Sequence, residues 1–175
     1  MKSVIAIAGL LWLVGCASTY SLPTNSPSAT MTLDLRSESK GTTMQGYRVF
    51  AYQDMNCTPS PLGSLIESKQ FTGAVEKIGP IRVVAVSPLT FAVLYGESRM
   101  AQNRQCSFTA SFLPRASESY GVQFAVADGA LACGMKITDG AGQEVSFESP
   151  SSSCAETFAG RVKNGGTGVL NWTFR

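Results

Sequence analysis

No histidine occurs among the 175 residues. That absence excludes Ser-His and Cys-His nucleophile–base dyads and every histidine-ligated metal site. Charge is scarce as well: Lys, Arg, Asp and Glu make up 15% of the chain, and the formal net charge is only +2. Without a basic run, nucleic acid is not the expected partner. No two cysteines stand in a Cys-x-x-Cys spacing, so neither a metal site nor a cofactor is expected. Beyond the first fifteen residues no segment is apolar enough to span a bilayer. Helical periodicity and internal repeats are missing too, although Leu62–Lys69 allows a short helical turn.

What is present begins at the N-terminus. Lys2 supplies a positive charge, and the eleven residues from Val4 to Val14 contain no polar side chain. That run is about half of the ~20 residues a spanning helix needs, so it reads as the core of a signal peptide. It ends in Leu13-Val14-Gly15-Cys16, which resembles the lipobox of bacterial lipoprotein precursors. The resemblance implies cleavage before Cys16, with residues 1–15 removed, and palmitate-type acylation of Cys16. It also implies a membrane partner reached through the lipid anchor. In that family an aspartate after the cysteine retains the protein in the inner membrane, so Ala17 implies the outer membrane, with the domain facing the periplasm.

Residues 16–29 are rich in Ser, Thr and Pro and read as a lipidated flexible tether. Residues 30–175 suffice for a single domain. Strict apolar/polar alternation dominates this part of the chain, the signature of strands with one buried face. Met31, Leu33 and Leu35 share a side, as do Leu89, Phe91, Val93 and Tyr95. Cys106, Phe108, Ala110 and Phe112 form another set, followed by Tyr120 to Val126, Leu131 to Ile137, and finally Leu170, Trp172 and Phe174. The runs Tyr47–Gln53 and Ile81–Val86 are apolar on both faces, as expected of central strands or strands beneath a loop. Ser87-Pro88, Asp128-Gly129, Asp139-Gly140 and Asn164-Gly165-Gly166 supply turns. The expected fold is all-β, an antiparallel β-sandwich of about eight strands, immunoglobulin-like or transthyretin-like.

Besides Cys16, four cysteines remain after the leader: Cys57, Cys106, Cys133 and Cys154. Export places them where disulfides persist, and four cysteines allow three pairings. With residues 106–137 read as a three-stranded meander, Cys106 and Cys133 stand on next-but-one strands, roughly 9–10 Å apart. A disulfide needs Cα atoms within about 7 Å. The register therefore favours Cys57–Cys106 with Cys133–Cys154, and next Cys57–Cys133 with Cys106–Cys154.

Candidate chemistry is sparse. Ser37-Glu-Ser-Lys40 fits the Ser-x-x-Lys pattern of penicillin-recognising enzymes, but that chemistry needs a helix start and two further motifs, both missing. Glu144 and Glu148 share a face of an extended segment, yet exposed glutamates beside a hairpin are commonplace. Gly140-Ala-Gly142 and Gly165-Gly166-Thr-Gly168 lack the lysine and third glycine of phosphate loops and read as turns. Trp172 alternates with polar neighbours and reads as core.

The stretch Phe108-Thr-Ala-Ser-Phe112-Leu-Pro114, Tyr120-Gly-Val-Gln-Phe124 and Cys133-Gly-Met-Lys-Ile137 resembles a pattern in small, uncharacterised proteobacterial β-sandwich lipoproteins. Over about thirty residues this implies a sandwich and disulfides, and no activity; Glu118-Ser119 departs from the glycine of that pattern. The chain is thus expected to be a non-catalytic binding or structural module of the cell envelope rather than an enzyme. Its alternatives are an inhibitor of an envelope-attacking enzyme such as lysozyme, or an accessory lipoprotein of a secretion apparatus.

Overall fold

A computed structural model describes residues 18–58, 63–100 and 102–171. Cys16 and the leader, Leu62, Trp172 and Phe174 lie outside the described residues. Among the described residues nine strands are formed: Ser28–Ser37 (β1), Met44–Tyr52 (β2), Ser64–Phe71 (β3), Val75–Val84 (β4), Leu89–Arg99 (β5), Gln102–Phe112 (β6), Ser119–Val126 (β7), Cys133–Asp139 (β8) and Thr167–Asn171 (β9). They build a four-stranded sheet in the order β4-β1-β7-β8 and a five-stranded sheet in the order β3-β2-β5-β6-β9. All pairings are antiparallel except β1 with β7.

The alternating residues meet between the sheets. Met31, Leu33 and Leu35 of β1 and Val122 and Phe124 of β7 face Val49 of β2 and Phe91 and Val93 of β5, all buried. Two lone sheets would each leave an apolar face in water, so the pair is stabilised by mutual burial at about 25 cal/mol per Å2. Strand β4 lies at an edge, where Pro80 deprives no neighbour of an N–H donor. Residues 64–69, which allowed a helical turn, instead belong to β3, because pairing with β2 from Gln45 to Ala51 satisfies their backbone.

A third layer explains the run Tyr47–Gln53; the run Ile81–Val86, expected in a central strand or beneath a loop, instead ends edge strand β4, with Val83 and Ala85 in the central core and Val86 exposed. Phe50, Tyr52, Ala92 and Leu94 point away from the central core and are buried with Cys57, Cys154 and Ala155. The chain after β8 returns across this outer face. It also covers the polar positions of β6: Ser107 and Thr109 are fully buried, and both hydroxyls bond the Ser153 hydroxyl, at 2.5 and 2.9 Å. Leu131 and Leu170, expected in the core, are exposed (70% and 37%), because β8 begins only at Cys133 and the short β9 forms a sheet edge.

The disulfides correct the expected pairing. They are Cys57–Cys154 and Cys106–Cys133, with Cα separations of 5.1 and 6.1 Å. The expected Cys57–Cys106 and Cys133–Cys154 bridges failed because residues 106–137 do not form a meander. After Phe112 the chain leaves the five-stranded sheet, and β7 and β8 belong to the other one. Cys106 and Cys133 therefore meet across the sheet interface instead of standing two strands apart. The remaining pair ties the loop after β2 to the covering segment.

Both sheets share two ends. One carries Ser28, Ser64, Val84 and Ser119; the other carries Ser37, Phe71, Val75 and Val126. Residues 18–20, expected in the flexible tether, are docked at the Ser28 end. Thr19 bridges Leu65 in parallel, with Leu65 N–H to Ser18 O at 2.7 Å and Tyr20 N–H to Leu65 O at 2.8 Å. The Tyr20 hydroxyl accepts a hydrogen bond from Val84 N–H at 2.9 Å, so this segment caps an edge strand of each sheet.

Candidate functional site

The covering layer reaches only part of the outer face of the five-stranded sheet. Towards the Ser37 end that face is bare, and a groove of about 240 Å3 opens there. Its floor is the cross-strand pair Gly46–Gly96. A glycine in a central strand often marks a close approach, and here two of them meet in register. A Cβ on Gly96 would meet the Gln105 side chain at 3.6 Å and the Arg104 carbonyl at 4.0 Å, both ordinary contacts, whereas one on Gly46 would press on the Lys69 carbonyl at 2.9 Å. Gly96 is therefore dispensable for packing, and its missing side chain is what keeps the groove open.

Met44, Arg48, Gln70, Gln105 and Phe158 are among the residues around this floor. Phe158 is half exposed at 52% and comes from the covering segment, fixed by its backbone N–H on the Gln105 side-chain carbonyl at 2.8 Å. Exposed Arg48 has no ion-pair partner among the described residues. Glu97 borders the groove through its backbone position only; its side chain is buried on the opposite face. The groove thus offers the Arg48 cation, amides, a thioether and an aromatic ring, while Lys69, which also lines it, is paired with Glu76.

Beneath it, at the Ser37 end of the core, lies a buried polar cluster. The Tyr95 hydroxyl stands 2.8 Å from Gln45 Oε1, 3.0 Å from Ser37 Oγ and 3.1 Å from Glu97 Oε2. Burial, above all, pushes the Tyr95 phenol up to about 12, with the Glu97 charge adding to the rise. Arg99 Nε donates to Glu97 at 2.7 Å, and its Nη2 reaches Asp128 at 3.2 Å. Asp128 also accepts the Lys40 backbone N–H, at 3.2 Å. That bond and the Arg99 guanidinium hold the Asp128 carboxyl below the usual carboxylate range. A buried carboxylate is tolerable only when paired and hydrogen-bonded; the Glu97 partners Tyr95 and Arg99 are both on β5, and they are held in turn by Ser37 of β1, Gln45 of β2 and Asp128 of the turn before β8.

The sequence candidates do not converge. Ser37 ends a strand and Lys40 is held by its backbone, with no helix start beneath them. Glu144 pairs with Lys136 of β8 at 3.0 Å, while the Glu148 backbone pairs with Ser111 of β6, so each is committed to a different sheet. Asp139 closes its turn by accepting the Ala141 and Gln143 N–H groups at 3.0 and 2.9 Å, and the Asn164 side chain bonds the Thr109 backbone at 2.7 and 2.9 Å. Glu97 was missed, although a signal existed: the alternation Phe91, Val93, Tyr95 reaches it at the next step, with Arg99 one step beyond. Gly46, Gly96 and Phe158 carried no comparable signal, since they are far apart in sequence.

Fold and groove together define a disulfide-stapled, two-sheet β protein with a bare outer-face groove. No protein-family model, curated protein or solved structure matches this chain significantly.

Proposed function

We propose that this chain is a cell-envelope lipoprotein, anchored through Cys16 in the bacterial outer membrane, whose domain is a non-catalytic binding module. The groove over Gly46–Gly96 is its ligand site. The observation that carries the binding reading is the combination of an unpaired Arg48, the Gln70 and Gln105 amides and the half-exposed Phe158 around a floor kept open by a dispensable glycine. Such a set recognises a polar ligand by hydrogen bonds, charge and ring contact. It offers no nucleophile–base pair, the histidine-free chain has no ready substitute, and Glu97 is engaged with Arg99 on the other face. The anchor rests on the lipobox-like Leu13–Cys16 alone.

Two measurements test this. Metabolic palmitate labelling should mark the wild-type chain and not Cys16→Ser; label retained on the mutant refutes the anchor. A photo-crosslinking residue at Ser68 or Ser98, activated in intact cells, should capture a partner. Gly96→Leu should abolish that capture without lowering the melting temperature. Capture that survives the filled groove refutes the site.

A further inference from the structure

The docked N-terminal segment dictates how such an anchor would hold the domain. Thr19 runs parallel to β3 at Leu65, so the chain from Ser18 to Tyr20 heads from the Ser64 end towards the Phe71 end. Traced backwards, it leaves the domain at the Ser28 end. Only Ala17 then separates Ser18 from Cys16, and two residue steps reach at most about 7 Å. The tether is therefore not the fourteen-residue spacer its composition suggested.

A second observation concerns what is displayed at that end. Val86 and Leu113 are exposed at 64% and 60%, two of the nine large apolar side chains left in solvent among the described residues. They lie on adjacent loops joined by Val86 N–H to Pro114 O at 2.8 Å, with exposed Arg115 beside them. Val86 has φ +57°, a left-handed conformation that a β-branched residue rarely adopts. The fold thus holds an apolar side chain outwards at a position that would suit glycine.

We infer that the Ser28 end is a membrane-contact face: Val86, Leu113 and Arg115 sit at the headgroups of the bilayer that holds Cys16, and the groove is presented away from it. This rests on the lipid anchor proposed above. Apolar side chains at the interface with a basic neighbour are the usual chemistry of such contact. Six residue steps along β3 lead from Ser64 to Gln70 at the groove, so the ligand site stands roughly 20 Å further from the membrane along the strands.

The test uses the full lipidated chain in vesicles of phosphatidylethanolamine and phosphatidylglycerol carrying a headgroup-attached quencher. A fluorescent residue replaces either Ala116, at the Ser28 end, or Met100, at the tip of the β5–β6 hairpin. Ala116 should lose most of its fluorescence and Met100 little. A long Gly-Ser insert after Ala17 should make the two positions alike, and Val86→Asp with Leu113→Asp should relieve the quenching at Ala116. Palmitate on the chain with equal quenching at both positions overturns the contact face alone. A chain without palmitate at Cys16 overturns the anchor and the contact face with it.

Discussion

Tyr47 and Tyr95 are cross-strand partners on the inner face of the same sheet, yet their hydroxyls have opposite fates. Tyr95 is bonded to Gln45, Ser37 and Glu97, whereas the buried Tyr47 hydroxyl has no hydrogen-bond partner among the described residues. Removing a satisfied partner strands the others, while removing an unsatisfied group does not. Tyr95→Phe should therefore cost about 1–3 kcal/mol, and Tyr47→Phe should be neutral or slightly stabilising, by urea denaturation. Burial raises both phenols to about 12 from 10.0, with Glu67 and Glu76 assisting at Tyr47. The folded state keeps protons that the unfolded chain releases, so this stability is complete below pH 10 and lost as pH climbs towards 12. The expected fall is on the order of 1 kcal/mol per pH unit for each tyrosine. Urea midpoints at rising pH check it, and Tyr47→Phe should flatten the decline.

At the scale of elements, the covering segment after β8 is a layer with little regular structure of its own. It is held by the Cys57–Cys154 bridge, the Ser107–Thr109–Ser153 hydroxyls and Asn164 on the Thr109 backbone. In the chain-entropy model a bridge of sequence separation 97 stabilises by up to about 4–5 kcal/mol, before native strain is subtracted. Typical domains have only about 5–15 kcal/mol in all. Cys57→Ser with Cys154→Ser should thus lower the urea midpoint sharply and open the outer face to hydrogen exchange at Phe50, Tyr52 and Leu94. Exchange confined to the covering segment would show that the layer, not the sheet, depends on this bridge. Non-reducing peptide mapping should recover Cys57 with Cys154 and Cys106 with Cys133.

Across the whole molecule, residues 18–20 close one side of the sandwich by capping edge strands of both sheets. Starting the chain at Ser21 removes three hydrogen bonds of backbone N–H groups, those of Leu65, Tyr20 and Val84, besides the exposed Ser18–Ser64 hydroxyl pair. At about 1 kcal/mol each, a loss of roughly 3 kcal/mol is expected relative to a chain that starts at Ser18. Exposed edges also template pairing, so the shorter chain should self-associate at lower concentration, as read by sedimentation. Equal stability of the two chains would mean that the segment is a passive tether after all.

Alternation along β1, β5, β6 and β7 determined from sequence alone that the protein is all-β and that its sheets bury one another, because side-chain period and face are local properties of a strand. Four cysteines besides Cys16 likewise indicated two bridges. Which strands share a sheet was not local. The crossing after Phe112 places Cys106 opposite Cys133, and no count of residues distinguishes that crossing from a hairpin. The same holds for the groove: Gly46, Gly96 and Phe158 become one site only because β2 pairs with β5 and the covering segment stops short of their row. Docking of residues 18–20 was hidden for a further reason. Its Ser/Thr-rich composition describes what the segment lacks for a core, while its backbone N–H and C=O groups, common to every residue, decide whether an edge strand accepts it.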